Sequence, residues 1–88
     1  MKTIKEYFLN KKTVSPQTLY MPVGAKIVNI LENGSNVRLV TVIDPNETLT
    51  NLRTFKICTN TESIYNDNIE YLGSFISAFG DRHVIELL

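Results

Sequence analysis

With 88 residues, 43% of them hydrophobic and 20% charged, the chain has the composition of one small globular domain, which excludes intrinsic disorder. Nine Lys and Arg balance nine Asp and Glu, so no overall field draws the protein onto nucleic acid or an anionic membrane. The single cysteine, Cys58, excludes an intrachain disulfide and any cysteine-based zinc site within one chain, and it fits a reducing cytosol.

Taken in order, Lys2 to Leu9 mixes alternation with a closing apolar cluster and reads as a strand, with helix the competing reading but marginal over eight residues without a good cap; its lysines flank an apolar patch too short for a signal peptide. The link through Pro16 is rich in turn formers, and Gln17 to Met21 resumes as a short strand. Ala25 to Pro45 reads as a hairpin turning at Asn33-Gly34, two residues that tolerate positive φ. Period-two alternation puts Ile27 and Leu31 on one face of its first arm and Val28 and Ile30 on the other. In the second arm Val37, Leu39, Thr41 and Ile43 alternate with Arg38, Val40 and Val42. Both arms are thus apolar on both faces, the mark of a doubly covered strand or of a subunit contact.

Leu52 to Cys58 is the next strand, with Phe55 and Ile57 directed to the core. Thr59 to Asn68 is the longest irregular segment and carries no helical period. Ile69 to Ile76 and His83 to Leu88 form a second hairpin around Phe79-Gly80-Asp81, with Gly73 marking a bulge or a close backbone approach. The expected fold is a single all-β domain over residues 1–88, a small antiparallel sandwich or partly open barrel of about six strands with little or no helix, joined mainly as a meander.

Chemistry-bearing residues are sparse. His83 with Asp81 could form an acid-base pair, but no Ser or Cys motif supplies a nucleophile, and no catalytic residue is assigned. Carboxylates are scattered rather than paired, so no metal site is expected, and the isolated glycines form no phosphate loop or cofactor fingerprint. Arg38, Arg53 and Lys56, with Tyr65 or Tyr71, have the makings of a cationic, aromatic surface for a nucleotide or a single strand. A site where Thr59, Asn60, Thr61 and Tyr65 meet Arg38, Arg53, Arg82 or His83 is the expected binding region.

The run MPVGAKIVNI, then NGSNVRLVTVIDP, RTFKICTNTES, EYLGSFI and RHVIELL resembles a family of small uncharacterised proteins of tailed bacteriophages. Their layout is MKTIYKY, PxGAKIL, a strand ending in Val-Asp-Pro, a Phe strand followed by Gly-Thr-Gly-His, YLGT, and a closing Trp-His-Val-Phe strand. Pro22, Gly24, Ala25 and Lys26 match the first bend, Asp44 and Pro45 the strand exit, Tyr71 to Gly73 the third block, and His83 and Val84 the last. Arg82 replaces the tryptophan, and Thr59 to Glu62 stands where the family has Gly-Thr-Gly-His.

The resemblance implies a phage accessory protein of the host cytoplasm. Within that setting the expected function is non-enzymatic binding, with a host-derived nucleotide immune signal sequestered by a homo-oligomer. The alternative is an inhibitor or adaptor that blocks a host enzyme through a β-edge or apolar face.

Overall fold

The computed structural model describes every residue from Met1 to Leu88, and all of its regular structure is β. Seven strands form, one more than the expected count: β1 (Thr3–Asn10), β2 (Gln17–Pro22), β3 (Lys26–Asn33), β4 (Asn36–Ile43), β5 (Thr50–Thr59), β6 (Ile69–Ser77) and β7 (Gly80–Leu87). They make two antiparallel sheets, ordered β1-β4-β3 and β2-β5-β7-β6. The meander expectation is corrected: only the β3–β4 and β6–β7 hairpins join sequence neighbours. Two layers bury the apolar side of every strand, whereas one continuous sheet would leave that side in water.

The alternating residues of each strand meet between the layers. Leu9, Val37, Leu39 and Ile43 come from the smaller sheet; Met21, Phe55, Ile57, Phe75 and Val84 come from the larger. Phe55 and Ile57 therefore face the core as the alternation requires. Thr41 interrupts the apolar row of β4, but its hydroxyl donates to the Lys5 carbonyl at 2.6 Å, so no polar group is stranded.

Two bulges alter the simple alternation. In β3 the register passes from Ile27 opposite Thr41 to Asn29 opposite Val40, leaving Val28 unpaired. Ile27 and Ile30 consequently share the core side, while Val28 and Leu31 face outward, a correction to the period-two pairing. In β6 the register steps past Leu72 to Gly73. The β3–β4 turn also falls one residue later than expected. Asn33 pairs with Asn36, and of the two central residues, Gly34 and Ser35, only Gly34 has a positive φ (59°).

The sheets meet closely where β3 passes β6. A Cβ on Gly73 would lie 2.9 Å from Ile30 Cδ1 and Cγ1, and φ there is 153°. On the opposite side β1 and β2 are not paired, so the barrel stays open. At one end of that seam the Gln17 amide imitates a strand: Oε1 accepts from the Asn10 N–H at 2.8 Å and Nε2 donates to the Asn10 carbonyl at 2.9 Å.

The long link between β5 and β6 has a geometric cause. The two strands run in the same direction with β7 between them, so residues 60–68 must travel the full height of the sheet. They form a strap across its outer face. His83 binds Asn60, Lys56 binds Glu62, and the Leu88 N–H donates to the Asn68 carbonyl, which pins the strap at its start, near its start and at its end. Beneath it Cys58 and Ile85 are buried on the side away from the main core.

Gly73→Ala places a methyl group against Ile30 in a backbone region that side chains rarely adopt. Denaturant unfolding of this variant is expected to show a loss of about 1–3 kcal/mol; an unchanged midpoint would show that the β3–β6 contact does not hold the layers together.

Candidate ligand-binding site

Because neighbouring strands alternate in direction, the β1–β2 link, the β3–β4 turn and the β6–β7 turn all emerge at one end of the barrel. They enclose a cavity of about 430 Å³, whose walls include Lys11, Lys12, Val14, Phe75, Phe79 and Arg82. That volume falls within the range of small-molecule sites, roughly 300–1,000 Å³.

The charges around this cleft are unequal in their availability. Lys11 is engaged: Nζ lies 2.7 Å from Glu32 Oε1, donates to the Gly34 carbonyl at 2.9 Å, and sits 5.6 Å above the Phe75 ring. Lys12 and Arg82 have no carboxylate partner, and Arg82 donates only to the Asp81 carbonyl, at 3.0 Å. Two free cations thus stand over a floor containing the buried ring of Phe75, beside a Phe79 ring that is 89% exposed. Cations and exposed aromatic carbon in one concavity suit an anion attached to a flat ring.

Lys56 ties the cleft to the strap. On the outer side of β5, Nζ lies 2.6 Å from Glu62 Oε2 and donates to the Val14 carbonyl at 2.9 Å. One ammonium therefore holds both long links of the chain, and Val14 is part of the cleft wall.

The eight residues expected at the binding site are dispersed. Only Arg82 lines the cleft. Arg38 lies on the outer face of the smaller sheet, paired with Glu6 at 3.0 Å. Arg53 closes the opposite end of the barrel: Nε and Nη2 donate to the two oxygens of Glu86 at 2.6 and 2.7 Å, and Nη1 donates to the Ala25 carbonyl at 2.6 Å. The hydrogen bonds it donates to Glu86 hold this guanidinium more firmly protonated, against the opposing effect of burial. A second cavity of about 420 Å³ opens beside Arg53, but its cation is already committed to a buried carboxylate and a carbonyl, and Glu70 adds negative charge. Anion binding is disfavoured there.

Thr59, Asn60, Thr61 and Tyr65 belong to the end of β5 and the strap; Tyr65 is almost fully exposed. Of these, Asn60 does meet His83. His83 Nε2 is 2.6 Å from Asn60 Oδ1 and Nδ1 is 2.9 Å from the Tyr71 hydroxyl. An amide oxygen only accepts, so Nε2 donates, and Nδ1 accepts from the tyrosine. Both ring nitrogens are occupied by these partners, and the Asp81–His83 pair conceived from spacing is not formed. The histidine instead anchors the strap to the sheet.

None of Lys11, Lys12, Phe75 and Phe79 was among the residues expected at the binding site. The usable signals were a lysine doublet at the tip of a link and a phenylalanine beside a turn glycine, where burial cannot explain an aromatic ring.

The hydrogen bond from Lys56 holds the Glu62 carboxyl below its ordinary value of 4.5, with burial opposing and the Thr59 N–H assisting. Burial pushes the Cys58 thiol up, Glu62 reinforces the shift and Lys56 opposes it. Because the folded-state value of Glu62 is depressed, its contribution is complete above 4.5 and is lost as pH falls through the lower folded value. Amide protection factors across residues 60–68, taken relative to the intrinsic rate at each pH, should therefore fall on acidification through that window. At pH 7, Glu62→Gln should raise the rate of thiol labelling at Cys58 by roughly two- to fivefold, the worth of a half-exposed ion pair; an unchanged rate would show that Glu62 does not hold the strap down.

The model of a domain of unknown function, DUF7352, matches residues 1–87, nearly the whole chain. No curated protein and no solved structure matches it. Spanning the family's pattern from the first strand to the last, the chain belongs to the DUF7352 family.

Proposed function

We propose that this protein is a non-enzymatic binder of a small anionic, aromatic molecule of nucleotide-like chemistry, held in the cleft formed by Lys12, Phe75, Phe79 and Arg82. The observation that carries this reading is the pair of cations without carboxylate partners beside an exposed ring, in a cavity of about 430 Å³. Lys11, Arg38, Arg53 and Lys56 are already paired with Glu32, Glu6, Glu86 and Glu62. Of the cations left without a carboxylate partner, Lys12 and Arg82 lie at one cleft, which gives it a local surplus of positive charge. Arg82 would grip a phosphate, Lys12 would add a mobile point charge, and Phe79 would stack on the base.

In the setting implied by the resemblance to phage proteins, the ligand is a host-derived nucleotide signal of antiviral defence, and the protein sequesters it in the host cytoplasm. Binding without turnover is sufficient for that role, and the occupied nitrogens of His83 accord with it.

The test is calorimetric titration with inorganic pyrophosphate, AMP, ADP-ribose and a cyclic dinucleotide. Lys12→Glu with Arg82→Glu is expected to weaken binding of every member at least about a hundredfold while leaving the melting curve unchanged. Phe79→Ala should weaken the base-containing ligands by roughly tenfold and leave pyrophosphate unaffected. No heat with any of the four compounds, or binding indifferent to both cations, overturns the reading.

A further inference from the structure

The strap covers part of the outer face of the larger sheet, but no segment crosses the outer face of the smaller one. Its registers place Ile4, Val42 and Lys26 in one row, Glu6, Val40 and Asn29 in the next, and Phe8, Arg38 and Leu31 in a third. Val28 projects from the bulge. Ile4, Phe8 and Val28 are 69%, 52% and 51% exposed, and Leu31 is exposed as well. Among them sits the Glu6–Arg38 pair, in which Arg38 Nη1 donates to Glu6 Oε2 while Arg38 Nε is buried with no acceptor.

We propose that this face is the interface of a twofold homodimer, in which two copies pack outer face to outer face and each Arg38 is shared between its own Glu6 and the Glu6 of the second copy. Three observations select a second copy as the occupant. The paired charges are one carboxylate and one guanidinium in adjacent rows, so an axis crossing the strands between those rows lays Glu6 of one copy over the Arg38 row of the other. Within its own chain Arg38 commits only Nη1 to a carboxylate, and its side chain is 30% exposed, so a second carboxylate can take up guanidinium N–H groups that Glu6 leaves free. Three strands of eight residues, with side chains overhanging both edges, offer roughly 500 Å² per copy and on the order of 1,000 Å² in total, where specific interfaces begin. Association is therefore concentration-dependent rather than permanent.

The edges are poorer candidates than the face. Lys5, which shares the core-side register of β1 with Tyr7 and Leu9, places an inward charge on that edge, with Nζ 5.1 Å over the Tyr7 ring. Pro22 ends β2, and Gln17 occupies the backbone groups of Asn10 at the seam.

Sedimentation velocity from about 1 to about 300 µM, spanning the affinities open to so small an interface, should show a monomer–dimer equilibrium for the unaltered chain. Glu6→Arg makes the charges of the face wholly cationic, and Arg38→Glu replaces the pair with two carboxylates; each variant alone should be monomeric. Their equimolar mixture should dimerise again, although the pair within each chain stays broken, because the opposite charges now lie on different copies. Val28→Lys, which changes a half-exposed side chain on the β3 bulge, should weaken the dimer at least about thirtyfold. A wild-type chain that is monomeric throughout overturns the proposal, as does a mixture that fails to associate when the wild type does, or a Val28→Lys dimer of undiminished affinity.

Discussion

The approach of Gly73 to Ile30 sets the geometry on which the rest of the molecule depends. Both residues stand beside bulges, one at Val28 in β3 and one at Leu72 in β6, and each bulge turns its strand toward the other sheet. A glycine permits β6 to pass at a distance no side chain would allow. Closing the two layers on this side leaves β1 and β2 as the free edges on the other, where the Gln17 amide provides two hydrogen bonds in place of a ladder. The barrel is thus tight along one seam and open along the opposite one, and the cleft lies at the end of the open arrangement where three connections converge.

The second organising group is Lys56. A long cationic side chain on the outer side of a central strand satisfies a strap carboxylate and a link carbonyl together. The same contacts cover Cys58 and Ile85, so a small apolar cluster forms outside the main core. At the other end of the barrel the Arg53–Glu86 pair does comparable structural work, filling the mouth with a bidentate ion pair and a carbonyl contact. Since the pairing of buried ions offsets a large desolvation cost, such a pair fixes geometry more than it adds stability. The two ends are therefore chemically unlike: one has a spent cation, the other has free ones.

Much of the fold was legible because its signals are local. Alternation in Val37 to Ile43 sorted the two faces of β4 correctly, Phe55 and Ile57 were read as inward, and Gly73 was recognised as a point of bulging or close approach. The reading failed in β3, where one extra residue at Val28 reverses the face of everything after it, and no composition rule marks Val28 as the extra one. It failed also in connectivity, since short links suggested a meander while the pairing of Leu9 with Val37 and of Phe55 with Glu86 depends on which apolar rows fit across the layers.

The candidate site was less legible. Arginines and strap residues attracted attention for their chemistry, yet whether a cation can bind a ligand depends on whether a carboxylate lies within reach, and that is a three-dimensional property. Arg38 and Arg53 are spent on partners 32 and 33 residues away in sequence, whereas Lys12 and Arg82 are brought together only because two turns emerge at the same end. The amino-acid sequence by itself determined the all-β class, the two hairpins, the division of β4 into two faces and the surplus of apolar residues on the β3–β4 hairpin, because each follows from φ preference or a period of two. Only the tertiary structure decided which charges are neutralised, where the cleft opens and which apolar face is left bare, because those follow from how distant strands meet.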